Sequence, residues 1–526
     1  MSVKKFFLSA GLAGLVFLPM QASAEFGLLK GLTDLATGNT DAQQTATDGQ
    51  PADAPSLKPG KVLERSVVYE GYSKKILPVK AMVSQGKLGE AKAELTKISP
   101  KPKKYDLLHN LQFGMLALDS NELKEAEERF YQAERKIVAR NDQGKMTGLF
   151  SSAGKSVFST ITGNAELGAY PGVGFERVLM LNYKSIGYLL AGERKAYNVT
   201  RRAIDLQNIE KKAFDASIRE AKEEIRKKES DDKNKGAELK KVGFGKIVKD
   251  QYKEGEKKAQ RVPSAFVNPF GFYMAGIVQE FDSYEDVSLR DNARISYQKA
   301  LELNPKSSVI KLAIKETKKP PRRDKRLVHV IVGDGFSPEK KLLKFDLAMG
   351  FGPPTVIELP VYESVPSKVH RVEVQTTKGA RWGRLSEVAN IDALAMRFQK
   401  DVGPLMQLQM MTTVIRNVIE GQAWSEAEKQ AGVLGSAVSI FKKKRDEMAH
   451  PDMRSWSLLP ARLLATRFYV PKSVSRVVLV SYDKKGKELN RQLVNIDKNS
   501  HNIIYARTLD NTMLTATNKR LWVGAR

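Results

Sequence analysis

The sequence predicts an α+β chain. Stacked helix-turn-helix repeats fill the N-terminal half, followed by an antiparallel, β-sandwich-like domain that carries a helical insertion. Three observations predict this. The pattern alanine, three residues, aromatic, two residues, alanine occurs twice, at Ala126/Phe130/Ala133 and Ala293/Tyr297/Ala300; composition alone would place it roughly 0.3 times in such a chain. The hydrophobic period changes from helical to two-residue alternation after residue 326. A basic, proline-bearing stretch, KKPPRRDKR (Lys318–Arg326), stands at the change and reads as a linker over 317–326.

The N-terminus sets the expected compartment. Lys4 and Lys5, the apolar run Phe6–Phe17 and the small residues Ala22-Ser23-Ala24 describe a signal peptide over 1–24, cleaved after Ala24. The run is too short to span a bilayer, and no later stretch is a transmembrane candidate. Residues 25–64, rich in Thr, Asp, Gln, Gly and Pro, read as a disordered tether. The chain has no cysteine, which rules out disulfides, a thiolate nucleophile, cysteine-bound zinc and a cysteine-linked lipid. Its formal net charge is +27. That favours anionic partners, and export makes lipopolysaccharide or peptidoglycan better candidates than nucleic acid.

Residues 65–316 read as helical hairpins. In the clearest, Tyr105–Ile137, Gly114 lets the second helix approach the first, Asp119-Ser120-Asn121 turns, and Ala126, Phe130 and Ala133 share one face. Upstream, Gly86 turns and Ala91 sits 35 residues before Ala126. A third hairpin carries Gly187, a turn at Ala191-Gly192, and Ala196 and Ala203 facing inward. A fourth, Asn268–Pro305, carries Gly276 in its first helix and Ala293, Tyr297 and Ala300 in its second, and Pro305 stops it. Its turn, FDSYEDVSLR, is longer than the others. The charged stretch Ile204–Gln260 reads as an exposed helix or helical pair, broken near Gly236 and Gly243.

Residues 327–526 alternate as half-buried strands do: LVHVIVGDG, LLKFDLAM, TVIELPVY and HRVEVQTT, then LLATRFYV, SRVVLVSY, ELNRQLVNI and NIIYART. A helical insertion over 385–448 separates the two sets.

No motif names a reaction. GLFSSAGKS (Gly148–Ser156) has five residues where a phosphate loop has four and follows a helix, so it reads as a loop between repeats. Ser152/Lys155 and Ser84/Lys87 match Ser-x-x-Lys without the companion triplets of that chemistry. His109, His329, His370, His450 and His501 are scattered, and Asp282–Asp286 lacks the glycine and closing glutamate of a calcium loop. No catalytic residue, cofactor or metal is expected. The least ordinary segment is HPDMRSWSLLPARLL (His450–Leu464). Its Asp452, Arg454 and Trp456 alternate, so on an extended chain they project to one side. They form either a ligand-facing cluster or a lock between insertion and sandwich, and the lock is the plainer reading.

The alanine–aromatic–alanine hairpins resemble tetratricopeptide repeats. With FERVLMLNYKSIGYLLAGERKA, AFVNPFGFYMAGI, ARISYQKALELNP, the VGDGFSP turn and DMRSWSLLPARLLATR, the chain resembles a family of exported, tetratricopeptide-containing proteins of Gram-negative bacteria to which no activity is attached. The resemblance implies a place in the cell envelope; such relatives are often lipoproteins and are sometimes encoded beside activators of peptidoglycan synthases. This chain departs from them in having no cysteine after its signal. The expectation is a periplasmic, non-enzymatic scaffold whose hairpins present a free concave side to a partner protein or peptide. An enzyme acting on an envelope polysaccharide, or a module binding lipopolysaccharide or an anionic membrane surface, is the alternative.

Overall fold

The computed structural model describes residues 72–98, 106–144, 170, 172–231, 236–347, 355–415 and 451–523. The signal (1–24), the tether (25–64), the Gly148–Ser156 loop and residues 416–448 of the insertion lie outside them. No helix among the described residues is long and apolar enough to cross a membrane.

Helices dominate the first half and come in pairs: α1 (Tyr72–Ser84) with α2 (Leu88–Ile98), α3 (Leu107–Asp119) with α4 (Leu123–Gly144), and α5 (Gly174–Ala191) with α6 (Ala196–Glu229). Gly86, Asn121 and Gly192 join them at φ of 76°, 58° and 76°, the left-handed conformation that ends a helix at little cost for glycine or asparagine. Short helices α7 (Gly236–Val242), α8 (Phe244–Gln251) and α9 (Glu256–Ala259) follow. The expected breaks fall at Gly236 and Gly243, but Phe214, Ala221, Ile225, Leu239, Phe244 and Val248 are buried, so this stretch packs along one face. The last pair is α10 (Pro269–Asp282) and α11 (Leu289–Leu303). Asn268 caps α10, its side chain accepting from the Phe270 and Gly271 amides, with Pro269 in the first turn. Pro305 follows the end of α11, and α12 (Ser308–Thr317) closes the helical half.

Within two pairs the small-against-aromatic contact is close. A Cβ added to Gly114 would lie 2.6 Å from the Phe130 ring, and one on Gly276 would lie 2.5 Å from the Tyr297 ring. Ala126, Ala133, Ala196, Ala203, Ala293 and Ala300 are all buried. Gly187 differs, because a Cβ there meets nothing within 4 Å. It does not mark a close approach.

The strands are β1 (Lys325–Asp334), β2 (Glu339–Leu347), β3 (Thr355–Glu363), β4 (Arg371–Gln375), β5 (Arg381–Arg384), β6 (Ser386–Asn390), β7 (Arg462–Pro471), β8 (Arg476–Tyr482), β9 (Glu488–Asn495), β10 (Asn502–Leu509) and β11 (Thr512–Thr517). They form a five-stranded sheet, β11-β10-β1-β7-β6, a four-stranded sheet, β5-β4-β8-β9, and a β2-β3 hairpin. Three expectations change. The five-stranded sheet is mixed, since β1 and β10 pair in parallel. Residues 386–390 form an edge strand on β7, so the insertion begins one element later, with α13 (Ile391–Asp401) and a helix over 403–415. The linker does not hang free. Its last two residues open β1, and the buried Arg326 guanidinium donates to the carbonyls of Asp497, Pro471 and Val474.

These elements stack in layers. Val328, Val330 and Val332 of β1 and Ile504 and Ala506 of β10 share an apolar core with Val372 and Val374 of β4 and Val477 and Leu479 of β8. Leu327, Ile331, Ile503 and Tyr505, on the opposite face, join the core of the helices. The first helices of the pairs, α3, α5 and α10, lie against this sheet and are buried over nearly their whole surface. The second helices form the outer layer. The concave side expected to stay free is therefore covered by the chain's own strands.

The glycine contacts predict an asymmetric response to added methyls. Alanine gains about 1 kcal/mol over glycine inside a helix, whereas overpacking a filled core costs about 1–3 kcal/mol. Gly114→Ala and Gly276→Ala should lower stability by about 1–2 kcal/mol, and Gly187→Ala should leave it unchanged or raise it by up to about 1 kcal/mol, as read by denaturant unfolding.

Candidate functional site

Residues 451–461 run between the helices and the central sheet without regular structure, and every residue of this strap is buried. A buried irregular backbone has to find partners for its own amides and carbonyls, and here they come from both sides. From the helices, Glu176 Oε1 accepts from the Trp456 amide at 2.9 Å, and the Gln112 side chain receives the Leu458 amide at 3.1 Å while donating to the Ser455 carbonyl at 3.2 Å. From the strand side, Ser337 Oγ donates to the Trp456 carbonyl at 3.1 Å, Lys340 Nζ to the Asp452 carbonyl at 3.0 Å and Arg507 Nη2 to the Leu458 carbonyl at 2.9 Å.

Of the three residues expected to project together, two meet. Arg454 donates Nε and Nη2 to the two oxygens of Asp452 at 2.9 and 2.8 Å, and its own amide holds Asp452 Oδ1 at 2.9 Å. The guanidinium also faces the Tyr170 ring, 5.4 Å from its centroid. Trp456 goes elsewhere: its indole stands edge-on to Phe130 at 6.3 Å and Tyr183 at 5.9 Å. The described ring partners of Trp456 thus stand on helices α4 and α5, while the Ile391 and Asp392 amides at the start of the insertion donate to the Ala461 carbonyl of the strap. The VGDGFSP turn meets the same strap, for the Ser337 amide donates to the Leu459 carbonyl at 2.6 Å and Arg462 Nε to Asp334 Oδ2 at 2.8 Å.

A second seam, invisible in the sequence, joins α10 to β1 and β7. Glu280 is fully buried; it pairs with Arg467, accepts from Tyr297 Oη at 2.9 Å, and lies 3.4 Å from His329 Nε2. Burial alone would raise this carboxyl, but Arg467, His329 and Arg290 outweigh it and hold it at about 2. The one hint was a tyrosine at 297 where the equivalent position carries Phe130, since a buried phenol needs a polar partner. His329 and His501 both flank the Phe281 ring, at 5.3 and 6.2 Å. Burial lowers both, His501 to about 4. Among the described residues no three potential metal ligands come together.

Beside the strap lies a small, partly open cavity lined by Tyr252, Lys340, Pro360, Tyr362, Phe398, Gln399, Val402 and Met406. It offers about 20 Å³ to water centres, which is room for a single water molecule. Lys340 and Tyr362 are opposite each other in the β2-β3 hairpin, with Nζ 5.8 Å from the ring centroid. Gln399 Oε1 accepts from the Tyr362 amide at 2.5 Å, while the buried Tyr362 Oη has no hydrogen-bond partner. Burial lowers the Lys340 amine from its usual value; Asp452 and Glu176 oppose the shift and Arg454 adds to it. Sequence reasoning missed Lys340 because only the register of β2 turns it inward and its neighbour Lys341 outward.

Two measurements test the two seams. Trp456→Ala should destabilise the fold by about 3–5 kcal/mol, the usual cost of emptying a large aromatic site. A histidine held neutral loses its contribution as pH falls from 6.5 toward its folded value of about 4. The stability difference between pH 7 and pH 5 should therefore shrink by about 2 kcal/mol in His501→Gln, measured by urea unfolding at each pH.

Compared with protein-family models, curated proteins and solved structures, the chain matches none.

Proposed function

We propose that the protein is an exported scaffold of the Gram-negative cell envelope, in which tetratricopeptide-like hairpins backed by a β-sandwich-like half bind a partner protein. The signal-like N-terminus supports the periplasmic setting. The contacts of Gly114 with Phe130 and of Gly276 with Tyr297 support the repeat reading, since two separate pairs use a small residue to seat an aromatic one.

The partner surface differs from the one first expected. With the inner helices covered, the outer helices remain, and α6 is the longest of them at 34 residues, about 50 Å. The observation that carries the proposal is its exposed stripe. Arg201, Arg202, Lys212, Arg219, Lys222, Arg226 and Lys227 are exposed there against Asp205 and Glu223, with Asp215, Glu220, Glu224 and Glu229 half-exposed among them. Arg202 is answered by Glu134 of α4 and Lys227 by Glu224; the remaining exposed cations form a basic edge suited to an acidic partner.

Reversing that edge tests the proposal. Mature protein immobilised at low and moderate salt should retain a saturable envelope protein, and Arg219→Glu, Lys222→Glu, Arg226→Glu and Lys227→Glu together should lower its capture at least about tenfold without loss of helix content. Equal capture by the reversed protein, or no saturable capture by the native one, overturns it.

A further inference from the structure

We propose that Lys340 is a nucleophilic lysine that forms an imine with small aldehydes entering the cavity between β2, β3 and α13. This goes beyond the scaffold reading and does not depend on it.

The geometry carries the proposal. Lys340 is 4% exposed, yet it lines a cavity that is partly open to solvent. Its amine donates to a backbone carbonyl, that of Asp452, and the nearest carboxylate of the strap is held by both forks of Arg454. An amine placed this way is desolvated without the ion pair that would fix its proton, which is how lysines become nucleophiles. The groups facing it are Asp452, Glu176 and Arg454 at the strap and Tyr362 across the hairpin, with Tyr252 and Gln399 on the far walls. The lowered basicity of Lys340 agrees with this placement.

Tyr362 supplies the second group the reaction needs. Tyr362 lines the same cavity, its hydroxyl is buried and without a partner, and burial keeps it a phenol at neutral pH. The Lys340 nitrogen adds to the aldehyde carbon, and a proton passes from nitrogen to the former carbonyl oxygen. That oxygen then leaves as water, taking a proton from Tyr362, while the remaining N–H proton returns to the phenolate. One amine and one aldehyde give one imine and one water, with no oxidant or reductant. The space beside Lys340 takes only a water-sized group, here the carbonyl end, so the rest of the aldehyde stays in the open mouth and only a small one can approach.

The test is reductive trapping of the full chain with acetaldehyde and cyanoborohydride at pH 7, followed by peptide mass spectrometry. Lys341, exposed and paired with Glu363, is the internal reference. Lowering an amine's pKa raises its neutral fraction at pH 7, so Lys340 should be ethylated faster than Lys341. Tyr362→Phe should slow Lys340 several-fold and leave Lys341 unchanged. Unfolding would instead bring the two lysines to equal rates. A native-state rate at Lys340 equal to or below that at Lys341 overturns the proposal, whatever the variant does. Equal trapping of Lys340 in native and Tyr362→Phe protein, both folded, overturns the role of the phenol.

Discussion

Burying β1 and β10 from both sides takes water away from every polar group these strands carry, and each such group then has to be answered by the protein itself. Asp334 is answered by Arg462, Thr508 and Ser367, and the Leu327 amide by His501 Nδ1. Tyr505 Oη donates to Asp119 of α3 at 3.1 Å, and Arg507 caps the Gly335 carbonyl at 2.7 Å. Asp119 comes from a helix, as does Glu280 beside His329 and Arg467, and the strap adds the Leu458 carbonyl that accepts from Arg507, so the sheet cannot reach this state before the helices are in place. The two halves of the chain fold onto one core.

This constraint also explains the strap. A hairpin array whose first helices are apolar around most of their circumference leaves a surface that water tolerates poorly. The sheet covers much of it, but a flat sheet cannot follow the seam between α3, α4 and α5. An irregular segment can, because its side chains are not bound to a two-residue period. Trp456 fills the aromatic hole between Phe130 and Tyr183, and Gln112 and Glu176 take the places that neighbouring strands would take for the backbone. Its retention by side chains from both layers makes the strap part of the structure.

Local features were legible in the sequence and long-range ones were not. Gly86, Asn121, Gly192, Gly243 and Pro305 mark helix ends because a backbone conformation is a property of the residue itself. The alanine–aromatic spacing read out which face of α4 and α11 is buried for the same reason, since that spacing follows the helical period. Strand direction is different: paired residues of β1 and β10, such as Val328 and Asn502, are 174 positions apart, and alternation is identical whether a neighbour runs parallel or antiparallel. Alternation reads as half-buried strands and so hid the second burial of β1, whose face with Leu327, His329 and Ile331 packs against the helices. The strand at 386–390 was lost because SEVAN has little β-propensity and exists by pairing with β7 at the sheet edge. Lys340 was lost because its chemistry comes from a register, and register is not a property of a lysine.

The same accounting locates the charge. Buried among the described residues are Asp119, Glu176, Glu210, Glu280, Asp282, Asp334, Glu373, Asp392 and Asp452, and as many basic side chains, six arginines and three lysines. The interior of the described residues is thus balanced residue for residue, so their buried core contributes nothing to the chain's formal surplus of +27. Arginine suits the interior role because its planar fork serves several acceptors at once: Arg326 and Arg290 cap runs of backbone carbonyls, and Arg177 grips both oxygens of Glu210. Lysine offers one compact charge, and only three lysines are buried among the described residues. A fold that matches its interior charges has separated the work of holding itself together from whatever its surface attracts, so weakening the surface field with salt should leave the core interactions in place.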